Sequence, residues 1–321
     1  MVAAKKKANK LRRNGKIFVA SVLAYPLILF AVFWVGININ SFLLAFQSIR
    51  IVFPDGKAVD WVLFDNFKLF INSLISSGDL ISVSFVNSVI MYAVNLVICM
   101  PLYIIFSYLL YKKCFLNRTI RVIVMLPQII SGFVICLLFK KIVDVNGLVH
   151  SVFALFKGGA TYINPLLNPK INFGVILFFM IWVSFSTSLI VYPNAMKEIP
   201  EEIIESAAID GVRGMRQELR YIILPLIYPT LSTFLILGFA GILSATGPLV
   251  EFYYSSAPPE VYTMGYYYTH KTIFASATGA YASELAYPML AAGGLLMTLA
   301  VAPLTHLLKA LLNKFSPVSE Y

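Results

Sequence analysis

Charge is scarce in this sequence. Asp, Glu, Lys and Arg together make up 12% of its 321 residues, whereas a soluble domain has about 25%. That is too little polar surface to coat a water-soluble globule, so much of the surface must face lipid. Cysteine is scarce too. Cys99, Cys114 and Cys136 form no C-x-x-C pair, and Cys99 and Cys136 lie in apolar runs; they read as small buried hydrophobes rather than metal or redox groups. His150, His270 and His306 are far apart and offer no local metal spacing. No G-x-x-x-x-G-K-[ST] loop is present to cradle a nucleotide phosphate, and no Ser/His/Asp or H-E-x-x-H set marks a hydrolytic centre. No cofactor and no metal is expected.

Apolar residues account for 59% of the chain, and the mean hydropathy is +0.81. A helix crosses the hydrocarbon core with about 20 apolar residues. Six charge-free runs meet or nearly meet that length: Ile17–Gln47, Leu80–Tyr111, Val122–Phe139, Ile171–Met196, Tyr221–Val250 and Leu285–Leu308. Backbone amides in lipid must be satisfied within the segment, so these runs are helices. They do not alternate apolar and polar residues as barrel strands would. The basic stretch Lys5 to Lys16 before the first run resembles a secretion signal. The apolar run behind it is far longer than the ~7–15 residues of a signal-peptide core, and reads as a retained first span. The expected fold class is an all-α membrane protein of six transmembrane helices.

The net charge of +10 sits in tails and loops, which fits membrane topology better than a nucleic-acid groove. With the N-terminus inside, the inner segments hold 17 Lys and Arg and the outer loops hold 8. The asymmetry predicts both termini in the cytoplasm. The organisation read from this is a basic cytoplasmic leader, 1–16, one transmembrane domain, 17–315, with a cytoplasmic loop at 197–222, and a tail, 316–321. Among the outer loops, 48–79 contains the turn signal Pro54-Asp55-Gly56. Residues 140–170 are irregular, with a short amphipathic helix near 147–157. Residues 251–284 hold Tyr266, Tyr267 and Tyr268, expected as interface anchors.

The longest inner connection, 197–229, is built like a structured element. Pro200 suits a helix start, and Glu201 and Glu202 favour its positive end. Ile203, Ile204, Ala207 and Ala208 give a narrow apolar face, and Asp210-Gly211 ends the helix, glycine being free to adopt the left-handed conformation there. A second helical stretch, near 213–223, runs into the fifth span. Such a knob is stiff enough to transmit force between two bodies, or else it rests on lipid headgroups. Its four glutamates, Glu198, Glu201, Glu202 and Glu205, fit an anionic leaflet poorly.

The run Glu205-Ser206-Ala207-Ala208-Ile209-Asp210-Gly211, followed by Leu224-Pro225 and Pro229, resembles the EAA motif of binding-protein-dependent ABC importer permeases. Met125-Leu126-Pro127-Gln128 and Gly147-Leu148-Val149 resemble their carbohydrate-uptake branch, the maltose and glycerol-phosphate type. Ser206 and Val212 stand where the motif has alanines. The spacer from Gly211 to Pro225 is one residue longer than the family pattern. On a helix the extra residue turns every later side chain by about 100°, and leaves open which way Arg216, Glu218 and Arg220 face.

The resemblance implies a type I ABC importer permease fold, N-in and C-in, in a bacterial cytoplasmic membrane. It implies that 199–211 is a coupling helix, with Glu205, Ala207, Ala208, Asp210, Gly211 and Pro225 as the ATPase-coupling residues. The implied partners are a second permease subunit as heterodimer, two copies of a cytoplasmic ATPase, and an extracytoplasmic solute-binding protein delivering a sugar. The chain would itself be non-catalytic. A substrate path would run past Asn87, Asn95, Gln128, Trp182, Ser184, Ser186, Thr187, Ser244 and Thr246. Alternatives are an ABC permease for a non-sugar solute, or an ion-coupled carrier. The latter would need ionisable groups at membrane depth, and the six runs carry none apart from His306.

Overall fold

The computed structural model describes residues 2–52, 56–113, 117–156, 162–274 and 280–316. Pro54, Asp55, Cys114, Gly158, Gly159 and the tail beyond Ser316 lie outside them. The chain divides into two compact units: residues 1–71 with 280–296, and residues 72–279 with 297–321.

In the first unit, α1 (Val2–Leu29) passes through a wide π-turn, Phe30–Val35, into α2 (Gly36–Leu44). The helix therefore starts earlier than the apolar run and takes in the basic leader. Phe18, Tyr25, Phe33 and Trp34 are exposed around it, as lipid-facing surface requires. The strands β1 (Gln47–Val52) and β2 (Gly56–Trp61) then pair antiparallel, Gln47 opposite Trp61. This hairpin corrects the expectation of an all-α chain. Gly56, with φ +98°, lies where the turn signal was read. Arg50 and Asp60 pair across the ladder. Buried Asn66, on α3 (Asp65–Ile75), closes the region by donating to the carbonyls of Ala45 and Gln47 at 2.9 and 2.7 Å.

The second unit holds most of the spans. α4 (Leu80–Val94) continues through a π-turn, Asn95–Cys99, into α5 (Met100–Tyr111). α6 (Asn117–Ile129) and α7 (Gly132–Val143) occupy the third run, and the chain bends by 98° between Arg121–Pro127 and Gly132–Phe156. The expected single span Val122–Phe139 is thus broken. Ser131 is extended, φ −53° and ψ 135°, and Pro127 just before it lacks the N–H that would hold the last turn.

The short helix α8 (Leu148–Phe156) lies where a short amphipathic helix was expected, and α9 (Asn172–Lys197) is a continuous helix of 26 residues with Pro193 inside it. After the loop that follows α9, α11 (Met215–Glu218), a π-turn (Leu219–Ile223) and α12 (Leu224–Leu226) meet α13 (Tyr228–Ala240) at 67°. The fifth run was expected to stay helical to Val250. It ends at Ala240, because Gly241, Gly247 (φ +61°) and Pro248 impose turns before α14 (Leu249–Tyr253). The last helix, α16, spans Ala280–Lys314.

Two of the π-turns have a common cause. A proline ring clashes with the carbonyl four residues back. Residue 97, four before Pro101, lies in Asn95–Cys99, and Tyr221, four before Pro225, lies in Leu219–Ile223. Widening the turn makes room for the ring without ending the helix.

Among the described residues, four helices are long and apolar enough to cross a membrane, or six if each bent pair is one span. A core of Cys99, Tyr103, Tyr108, Tyr192, Met196, Ile223, Ile227 and Leu231 binds α5, α9 and the 219–231 segment. The Tyr103 ring meets Phe185 edge-on at 4.9 Å. On α15 (Met264–Thr269), Tyr266 and Tyr267 are buried, which corrects their expected role as interface anchors. The Tyr266 hydroxyl donates to the Tyr254 carbonyl at 2.6 Å, and Tyr253 to Leu166 at 2.6 Å. Burial pushes Tyr253 and Tyr262 up to about 12.

Candidate functional site

The 197–222 segment folds as its residues dictate. α10 (Glu201–Ile209) starts after Pro200, which is extended at φ −57° and ψ 137°, with Glu201 and Glu202 in the first turn. At the other end Gly211 has φ +93°. Its N–H donates to the Ala208 carbonyl at 3.3 Å, and the Val212 N–H reaches back to Ala207 at 3.0 Å. These two bonds are a Schellman cap, which satisfies carbonyls the helix would leave open. Gly214 takes φ +81°, and the Arg213 N–H donates to the Gln217 side chain at 2.8 Å. The loop is therefore held by specific bonds at every turn.

No residue of α10 is buried. Ile204 and Ala207 are half-buried, while Ile203 and Ala208, expected on the same inner face, are exposed, as are Glu205, Asp210 and Gly211. Ile209 stands 86% exposed at the tip. The sequence reading passed over Ile209, although its position beside the Asp-Gly stop was the available signal. Pro225 lies apart from α10, as the second residue of α12, directly after the π-turn Leu219–Ile223.

Glu218 turns inward. Its carboxylate meets the Lys112 ammonium at 2.7 Å, with the side chains only 15% and 31% exposed. Arg216 and Arg220 are exposed, so the orientation left open by the longer spacer is resolved. The two residues of the pair are 106 positions apart, and nothing local in the sequence announces it.

A second feature is a cavity of about 480 Å³ among α4, α5, α9 and α13, within the size range of ligand pockets. Asn95, Ser184 and Thr187 from the expected path line it together, with Tyr92, Ser188, Tyr192 and Phe234. The Tyr92 hydroxyl donates to Leu235 at 3.3 Å, and Ser188 to Ser184 at 3.1 Å. A Cβ on Gly238, also in the wall, would come within 3.3 Å of the Tyr92 ring, so glycine lets α13 approach α4. Hydroxyl, amide and ring faces in one cleft suit a polyhydroxylated ligand.

The other expected path residues lie elsewhere. Asn87 is buried and donates to the carbonyls of Glu260 and Tyr262 at 2.8 and 2.9 Å. Trp182 packs with Phe139 and Phe179, and Ser186 is fully buried. Ser244 and Thr246 bond the nearby carbonyls of Gly241 and Gly247. The Gln128 side chain lies outside the described ones.

No protein-family model matches the chain. The galactooligosaccharides transport system permease protein GanP of Bacillus subtilis is 25% identical over 205 residues, covering 62% of this chain and 48% of that one. The multiple sugar-binding transport system permease protein MsmF of Streptococcus mutans is 24% identical over 214 residues, covering 66% and 64%. This chain is a homologue of sugar-transport permeases. It spans about half the length of the galactooligosaccharide permease.

The fold agrees. A chain of a bacterial ABC transporter involved in the import of alginate, an acidic polysaccharide, superposes with a TM-score of 0.72 at 18% identity, covering 95% of this chain and 99% of that one. The same likeness holds, at 0.68 and 19%, for an alginate ABC transporter in complex with an alginate-bound periplasmic protein. Like these permeases, the chain is a multi-pass membrane protein.

Proposed function

We propose that the chain is the membrane permease subunit of an ATP-driven ABC importer that moves a sugar or oligosaccharide handed over by an extracytoplasmic binding protein. The observation that carries this reading is the α10 helix, capped at Gly211 and with Ile209 exposed at its end. The relatives' sugar-transport names support the substrate class.

In this reading six spans place both termini in the cytoplasm, counting α6–α7 and the 215–240 segment as one bent span each. Residues 1–16 form the cytoplasmic leader and 17–315 the transmembrane domain. The chain pairs with a second permease subunit, and two copies of an ATPase sit beneath them. Glu205, Ala207, Ala208, Asp210 and Gly211 dock in a groove of one ATPase, while Pro225 sets the bend above. Closure of the ATPases on ATP displaces the projection and rocks the helices. The sugar passes Asn95, Ser184 and Thr187, through hydroxyl hydrogen bonds and stacking on Tyr92 and Tyr192. The chain hydrolyses nothing itself.

The test is uptake in liposomes by the tagged chain with its co-purified partners. Uptake must require ATP on the α10 side and survive ionophores that collapse ion gradients. Uptake that follows an ion gradient without ATP contradicts the reading.

A further inference from the structure

The contact between Lys112 and Glu218 has no part in the coupling motif, yet it lies where the cytosolic projection joins the bundle. Glu218 ends α11, and its N–H donates to the Gly214 carbonyl at 3.2 Å. The Arg213 N–H bond to the Gln217 side chain fastens that short helix to the loop that follows α10. Glu218 therefore moves with the projection. Lys112 closes α5, its N–H bonded to Tyr108 at 3.0 Å. Its ammonium lies 6.0 and 5.8 Å from the ring centres of Tyr108 and Tyr111. Following α5 away from Lys112 leads to the π-turn that begins at Asn95, in the cavity wall.

We infer that Lys112 and Glu218 form a positioning pair, a strut that converts displacement of the α10 projection into movement of α5 and so changes access to the cavity. This rests on the permease reading above. The chemistry suits the role. A half-buried ion pair is directional and stiff, and removing one partner leaves a charge without compensation. A π-turn lies in each of the two helices that carry the pair, Asn95–Cys99 and Leu219–Ile223, the kind of break at which a helix can change direction. Apolar contacts in the same region, such as Tyr108 with Tyr111 at 6.3 Å between ring centres, slide more readily than two opposite charges 2.7 Å apart.

The experiment needs no knowledge of the sugar. Leu237→Cys, in the cavity wall, is placed in the full chain, and the complex is purified with its ATPase. Its rate of reaction with fluorescein maleimide is measured without nucleotide and with ATP and vanadate, alongside ATP hydrolysis. With the native pair, the trapped state changes the labelling rate by about tenfold, a coupling of ordinary size. Glu218→Gln and Lys112→Met each keep the ATPase bound and hydrolysing but lose that change. The exchange Lys112→Glu with Glu218→Lys restores it, and Lys112→Arg keeps it.

Single variants that respond like the native pair overturn the strut. So does an exchanged pair that assembles, hydrolyses ATP and stays unresponsive. If the native complex holds no ATPase, the permease reading falls, and the strut falls with it.

Discussion

At the residue scale the decisive position is Gly211. Its φ of +93° costs any L side chain about 1–2 kcal/mol, so Gly211→Ala should weaken the cap while leaving uptake measurable. Gly211→Pro cannot reach that conformation and removes the N–H bonded to Ala208, a loss of about 3 kcal/mol or more at the cap. The variant should insert normally, as membrane-fraction blots and protease protection would show, and give no ATP-driven uptake. Glu205→Lys, exposed on the same helix, should do the same by reversing charge at the docking face. In the cavity, Asn95→Ala and Thr187→Ala remove hydrogen bonds of about 0.5–1.5 kcal/mol each. Each should raise the KM for sugar up to about tenfold with ATP hydrolysis unchanged; an unaltered KM in both would remove the cavity from the substrate path.

At the scale of elements, the π-turn Leu219–Ile223 explains the long spacer. A π-turn holds one residue more than the α-turn it replaces. The extra residue between Gly211 and Pro225 is thus taken up locally, Glu218 points to Lys112, and Ile222 and Ile223 still enter the core. Deleting Tyr221, which is exposed, should tighten this turn and preserve complex assembly and uptake. Deleting Ile203 from α10, where no such turn exists, should abolish uptake, because every later side chain rotates by about 100°.

The same elements show how far the sequence could be read. α10 was legible because proline, acidic residues and Asp-Gly mark its ends locally. The spans α4–α5 and α9 were legible from apolar length. The hairpin was not, since its register depends on pairing across a turn. Nor was the break at 130–131, where one proline and one glycine sit in a run that reads as continuous. Of the cavity, Asn95, Ser184 and Thr187 were found as polar residues in apolar runs. Asn87 fitted the same rule but bonds backbone carbonyls 173 and 175 positions away, which no local pattern encodes.

At the scale of the whole molecule, the proposed topology puts the α10 projection and both termini on one face of the membrane. Single cysteines at 14 and 313 should react with impermeant maleimide only after the inner face is opened. A cysteine at 170, between α8 and α9, should react in intact cells. The central claim is that this projection contacts an ATP-hydrolysing partner, and one measurement tests it most directly. A photoactivatable cross-linker is attached at Ile209→Cys, at the exposed tip, and the joined polypeptide is identified by mass spectrometry. The account predicts an ATPase subunit, with the cross-link lost in Gly211→Pro; a cross-link only to lipid or to extracytoplasmic protein would contradict it.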